Sequence, residues 1–145
     1  MIRVKHIMTA HVVFVDPDDR VERAIELMLR HGVSGLPVVD SSGQLLGVVT
    51  EFDILDIVDD FFTERNKVYH YMTRDIKTVE ADSSIEELAA IFRERSIRRY
   101  PVVENNRLVG IVSRRELIRL VHNVRSESRL EHERTAEATF PVGFE

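Results

Sequence analysis

Apolar residues in this chain fall into two patterns, and each pattern occurs twice. Val21, Ala24, Ile25 and Met28 stand at i, i+3, i+4 and i+7, a spacing that brings them to one face of a helix. Ile85, Leu88, Ala89 and Phe92 repeat that stripe position for position. Short, nearly continuous apolar runs follow each stripe, at residues 36–39 and 45–49 and again at 100–103 and 109–112. The turn-forming Asp40-Ser41-Ser42-Gly43 between the first two runs predicts an antiparallel hairpin. Runs without polar alternation suit a sheet covered on both faces, here by the helices. The helix limits are marked as well. Asp19-Arg20-Val21-Glu22 and Ser83-Ser84-Ile85-Glu86 read as capping boxes opened by Asp19 and Ser83, and Gly32 suits a left-handed helix end.

The two halves are copies of one another. Met8-Thr9 recurs as Met72-Thr73, and the same shift of 64 residues carries Val15 onto Val79, Asp18 onto Asp82 and Val33 onto Ile97. It also carries Pro37-Val38-Val39-Asp40 onto Pro101-Val102-Val103-Glu104. One residue is lost in the turn, after which Leu46-Gly47-Val48-Val49-Thr50 answers to Val109-Gly110-Ile111-Val112-Ser113. Each copy reads as strand, helix, strand, strand, helix. The expected fold is therefore α/β (α+β), with two pseudo-symmetric β-α-β-β-α repeats packed as one module. Residues 1–62 form the first repeat, 63–67 a linker, 68–122 the second repeat, and 123–145 a charged extension and tail.

Composition narrows the function. There is no cysteine, so disulfides, thiolate nucleophiles and zinc–thiolate sites are excluded together. A formal charge of −5 argues against general nucleic-acid binding, while leaving room for a local basic pocket. No apolar run approaches membrane-spanning length, and the opening residues carry no signal pattern, so a soluble cytoplasmic protein is expected. His6, His11, His31, His70, His122 and His132 share no ligand spacing, and no metal site is expected. No serine lies in a G-x-S-x-G motif, and the carboxylates Asp53, Asp56, Asp59 and Asp60 most simply decorate the solvent side of one helix. Nothing in the pattern calls for catalysis. Apolar residues are in surplus, however. Phe52, Ile54, Leu55, Ile57, Val58, Phe61 and Phe62, with Leu117, Ile118, Leu120 and Val121, cover more than one helix face. Either both faces are buried within the monomer, or a second chain covers one of them.

The order of motifs resembles the CBS domain, named after cystathionine β-synthase and usually found as a tandem pair. The order is Met-Thr, V-x-x-D, a capped helix, P-V-V-D/E, G-V/I-V-T/S and a second helix, and the resemblance covers all but the tail. It implies two clefts between the repeats that take adenosine-containing ligands: AMP, ADP or ATP, with S-adenosylmethionine as a further possibility. It also implies a homodimer and no catalytic cofactor. In such pairs the hydroxyl and carboxylate of G-x-x-T/S-x-x-D hold the ribose, and residues before P-V-V of the other repeat flank the base. Carried onto this chain, one site combines Thr50 and Asp53 with Ser83, Ile97, Arg98, Arg99, Tyr100 and Pro101. The other combines Ser113 and Glu116 with Asp19, Val33, Ser34, Gly35, Leu36 and Pro37.

Residue chemistry supports these roles and leaves alternatives open. A carboxylate only accepts hydrogen bonds, so it can take both ribose hydroxyls, and Arg98 and Arg99 can fork onto phosphate oxygens. Thr50-Glu51-Phe52-Asp53 and Ser113-Arg114-Arg115-Glu116 are equally capping boxes, and the arginines equally a solvated turn. Two functional readings follow: a non-catalytic regulatory module that binds adenosine nucleotides, or a ligand-free dimerisation or interaction module of the same fold. Glu116 in place of Asp, and Ser34-Gly35-Leu36 where the other copy has Arg98-Arg99-Tyr100, favour the second reading for one of the clefts.

Overall fold

A computed structural model describes residues 1–129; most of the C-terminal extension lies outside the described residues. A short helix α1 (Val4–Ile7) precedes α2 (Val21–His31) and the hairpin β1 (Gly35–Val39) and β2 (Leu45–Thr50). Helix α3 (Glu51–Ile54) then runs into a 3-10 turn over Leu55–Asp59, and a second 3-10 turn spans Val68–His70. The second repeat supplies β3 (Val79–Glu80), α4 (Ile85–Glu94), β4 (Arg99–Glu104), β5 (Arg107–Ser113) and α5 (Arg114–Arg129). The predicted hairpin forms, and so does its copy in the second repeat, both antiparallel, with Gly35 opposite Thr50 and Arg99 opposite Ser113. The continuous apolar runs are buried as expected at Leu36, Val38, Val39, Tyr100, Val102 and Val103.

The first strand of each copy is shorter than its pattern implies, and unequally so. In the second repeat Val79 and Glu80 pair in parallel with Val102 and Val103, and the Ala81 N–H continues the ladder to the Val103 carbonyl at 2.9 Å. In the first repeat only Val15 pairs, with Val38. The residue equivalent to Ala81 is Pro17, which has no N–H to donate, so the ladder stops.

The helix starts also differ from the expected caps. Asp19 does not cap α2; its carboxylate accepts the Asp16 N–H at 2.9 Å, closing the turn around Pro17. Arg20 occupies the N-cap without a side-chain bond, and the Val21 N–H is satisfied by the Asn66 carbonyl from the linker. In the second repeat the cap is Ser84 rather than Ser83, with the Ser84 hydroxyl accepting the Glu87 N–H at 3.1 Å. Gly32 does end α2 in the left-handed region, at φ 63°. The helix expected to carry Asp53, Asp56, Asp59 and Asp60 is only four residues of α-helix before it tightens. Six of the nine residues over 51–59 are β-branched or Asp, against three of the 16 in α5.

The repeats exchange their leading arms. The Val4 and Lys5 N–H groups donate to the Ser83 and Ala81 carbonyls at 2.9 Å, and Val4 is fully buried in the core of the second repeat. The symmetric bonds run from the Val68 and Tyr69 N–H groups to the Asp19 and Pro17 carbonyls, and Val68 is buried in the core of the first. Thr9 pairs with Ile111 and Thr73 with Val48 through reciprocal bonds of 2.8–3.0 Å. A Lys5–Asp82 ion pair of 2.7 Å accompanies the first arm and lowers the Asp82 pKa through its hydrogen bond and charge. That pair is solvent-exposed and adds little to stability. The hairpin tips meet as well. The Leu45 N–H donates to the Asn106 carbonyl, the Leu108 N–H to the Gly43 carbonyl, and Val39, Leu45 and Val103 form a small shared core.

Close approach of the arms explains two glycines. A Cβ on Gly47 would stand 2.3 Å from the Thr73 carbonyl oxygen, and one on Gly110 would stand 2.6 Å from Met8 Sδ. The first collision is with backbone that is itself hydrogen-bonded; the second is with a flexible side chain, although the Thr9 carbonyl follows at 2.9 Å. Gly47→Ala is therefore expected to cost about 1–3 kcal/mol, and Gly110→Ala less. Urea unfolding of both variants checks this, and equal or reversed losses would contradict the arm packing described.

Candidate functional site

Arm exchange leaves two clefts between the repeats, and the duplication relates them residue by residue. The first has a volume of about 360 Å³. The first repeat lends it Ser34, Gly35, Leu36, Pro37, Val48 and Thr50, and the second lends Arg95, Ile97, Arg99, Tyr100 and Pro101. Asp75, Ile76 and Lys77, from the arm that crosses over, and Ile111 complete it. The second cleft, of about 350 Å³, is lined by the counterparts: Val33, Gly35, Leu36 and Pro37 from one side, and Arg99, Ile111, Ser113 and Glu116 from the other. Thr9, His11, Val12, Val13 and His31 complete it. Gly35, Leu36, Pro37, Arg99 and Ile111 touch both clefts, so the two share a central wall.

Of the residues assigned to the first site, Thr50, Ile97, Arg99, Tyr100 and Pro101 line the cleft; Asp53, Ser83 and Arg98 do not. Asp53 is engaged locally. Its Oδ2 accepts the Thr50 N–H at 2.9 Å and the Thr50 hydroxyl at 3.0 Å, and its Oδ1 accepts the Thr73 hydroxyl at 3.0 Å. The Thr50 Oγ1 in turn accepts the Asp53 N–H at 3.2 Å, completing a capping box. Asp53 thereby ties the start of α3 to the arm of the other repeat. Ser83 stands outside the cleft, where its carbonyl receives Val4.

For the second site, Val33, Gly35, Leu36, Pro37, Ser113 and Glu116 line the cleft, whereas Asp19 does not and Ser34 faces the first cleft instead. Glu116 Oε1 accepts the Ser113 N–H at 3.2 Å and the Ser113 hydroxyl at 2.9 Å, the same box as in the other copy. Its Oε2 is buried and has no hydrogen-bond partner among the described residues. The longer side chain therefore presents an uncommitted acceptor where Asp53 has spent its second oxygen on Thr73. Tyr100 is 1% exposed, packs on Phe92 at 5.3 Å between ring centroids, and also has an unpartnered hydroxyl. It belongs to the second core and to the wall of the first cleft at once.

Sequence reasoning missed Thr9, His31, Val48, Arg95 and Ile111 among the lining residues, and one whole segment in each copy. Asp75, Ile76 and Lys77, and their counterparts His11, Val12 and Val13, follow the duplicated Met-Thr pair, but no hydrophobic pattern places them against the opposite repeat. Only the arm exchange does. Their relation by the same 64-residue shift was the available signal. The exchange also brings His11 and His31 to one cleft, which their spacing in the chain does not suggest.

The apolar surplus resolves in favour of exposure. Ile54 and Ile57 pack on the first core and Leu117 on the second, whereas Phe52 is 81% and Phe62 94% exposed. Leu55, Val58, Phe61, Ile118 and Val121 are also exposed, so the described residues do not bury both faces. Among the described residues no helix is long and apolar enough to cross a membrane.

Comparison with known proteins agrees with this architecture. The CBS domain family model matches residues 4–60 and 68–123, and the chain belongs to that family. CBSX2 from Arabidopsis thaliana, solved in complex with AMP, superposes with a TM-score of 0.76 at 29% identity, covering 86% of this chain and 99% of that one. The CBS domain pair of protein MJ0100, in complex with 5-methylthioadenosine and S-adenosyl-L-methionine, gives 0.69 at 26% identity, covering 86% and 98%. An inosine-5'-monophosphate dehydrogenase of Methanocaldococcus jannaschii is 33% identical over 118 residues, 81% of this chain but 23% of its own length. The chain spans less than half the length of several curated relatives it matches.

Proposed function

We propose that this chain is a non-catalytic regulatory module that senses an adenosine nucleotide, AMP, ADP or ATP, in the clefts between its CBS repeats, in the cytoplasm. The observation that carries this reading is the pair of equivalent, largely apolar clefts, each with a hydroxyl–carboxylate capping pair beside it and with Arg99 between them. In the first cleft Ile97, Tyr100 and Pro101 offer apolar surface to the purine. Thr50 meets the ribose from the cleft wall, with Asp53 behind it, and Arg99, with Arg95 and Lys77, meets the phosphate. Arg98 stands beside the cleft rather than in it. In the second cleft Val33, Leu36 and Pro37 meet the base, and the free Glu116 oxygen beside Ser113 takes the ribose. The adenosine part common to the ligands of CBSX2 and MJ0100 supports the choice of nucleoside. Three cations against the single Asp75 in the first cleft favour a phosphate over the sulfonium of S-adenosylmethionine there.

A ligand held between the repeats touches both, so it can bias their relative angle. It does so only by the difference in its affinity for the two arrangements. A second reading, a ligand-free interaction module of the same fold, is favoured by the internal use of both Asp53 oxygens. We further propose that the module works as a homodimer through Phe52, Leu55, Val58, Phe61 and Phe62 with Ile118 and Val121, because so many exposed large apolar side chains are unusual on a monomer.

AMP or ATP is expected to raise the melting temperature and guanosine nucleotides to raise it less. Ligand at a hundredfold over its dissociation constant adds about 2.7 kcal/mol, several degrees for a domain this size. A flat response to every adenosine ligand would favour the ligand-free module. Sedimentation at tens of micromolar is expected to show a dimer that Phe52→Asp converts to a folded monomer; a monomeric wild type would remove the dimer proposal.

A further inference from the structure

One feature of the second repeat has no counterpart in the first. Arg98, Arg99, Arg114 and Arg115 line an open pocket of about 580 Å³, together with Ser113 and Ile118. A hydrogen bond from the Arg114 N–H to the Arg98 carbonyl, 3.1 Å, draws the two arginine pairs together. The matching bond in the first repeat runs from the Glu51 N–H to the Ser34 carbonyl. There the duplication places Ser34, Gly35, Glu51 and Phe52 where the second repeat has its four arginines. The shared fold therefore does not require the cluster.

Nor is the cluster neutralised. All four arginines are exposed, and none of them is in an ion pair among the described residues. Four guanidiniums gathered in one pocket repel each other, and they do so here on a chain whose net charge is −5. They also stand at the start of α5, whose 16 residues add a positive dipole end, whereas α3 in the first repeat has four. Arg99 and Ser113 belong both to this pocket and to the second cleft, so the two are continuous.

We infer that the arginine pocket binds the distal phosphates of a polyphosphorylated nucleotide whose nucleoside lies in the second cleft, so that this cleft prefers ATP to AMP. The inference rests on the adenosine reading of that cleft. Arg99 meets the first phosphate at the boundary, and Arg98, Arg114 and Arg115 meet the next ones. Planar guanidiniums suit this, since each can fork onto two phosphate oxygens. The first cleft shares only Arg99 with this pocket, whereas the second shares both Arg99 and Ser113, at the start of α5.

Calorimetric titration of AMP, ATP and inorganic tripolyphosphate into the wild type and the Arg114→Ala/Arg115→Ala variant tests the pocket. Both arginines are exposed, and urea melts establish that the variant folds; Arg114→Gln and Arg115→Gln singly serve if the pair does not. Wild type is expected to bind tripolyphosphate, and to bind ATP at least about tenfold more tightly than AMP. The variant is expected to lose both properties while AMP affinity stays within about twofold. Tripolyphosphate that fails to bind wild type, or binds the variant equally well, overturns the inference whatever AMP does. Tripolyphosphate binding that disappears in the variant, without any binding of AMP, upholds the anion pocket and removes the adenosine reading instead.

Discussion

The exchange of arms between the repeats, sealed where Thr73 meets Val48 and Thr9 meets Ile111, is the constraint on which the rest of this structure depends. Neither repeat completes its own core: the first buries Val68 and Tyr71, which follow it in the chain, and the second buries Val4, from the start of the chain. Each sheet also gains hydrogen bonds from the foreign arm, at a position where only glycine lets the backbones approach. The two repeats are for this reason one folding unit, although each carries a full set of elements.

The same exchange creates the clefts. The residues after each Met-Thr pair, His11 to Val13 and Asp75 to Lys77, reach the opposite repeat only because the arms cross. Once the clefts exist, a few substitutions make them unlike. Asp53 reaches Thr73 and spends its second oxygen there, whereas Glu116 leaves Oε2 unpaired. Arg95 and Asp75 in the first cleft answer to His31 and His11 in the second. Duplication supplied two equivalent cavities, and side-chain length and charge then set each apart.

Much of this was legible in the chain. The helical stripe at Val21, Ala24 and Met28 and its copy at Ile85, Leu88 and Phe92 became α2 and α4, because a shared apolar face is what periodicity reports. The hairpins followed from runs and turn residues. What was not legible is non-local. Whether Asp19 or Arg20 starts α2 depends on Pro17 and on the Asn66 carbonyl 45 residues away in the chain, the distance from Val21 to Asn66. The shortened first strand depends on a single missing N–H at Pro17. The carboxylates looked interchangeable between cap and ligand, since both uses need the same T/S-x-x-D/E spacing; only in the fold does Asp53 bond Thr73 while the longer Glu116 leaves Oε2 off the equivalent Thr9.

The central claim is that the inter-repeat clefts are adenosine sites, and the most direct measurement is a crystal structure of the protein grown with saturating AMP. Density for a nucleoside is expected in at least one cleft, with the base against Ile97, Tyr100 and Pro101 or against Val33, Leu36 and Pro37, and the phosphate at Arg99. Well-ordered clefts holding only solvent, or AMP bound away from both of them, would contradict it.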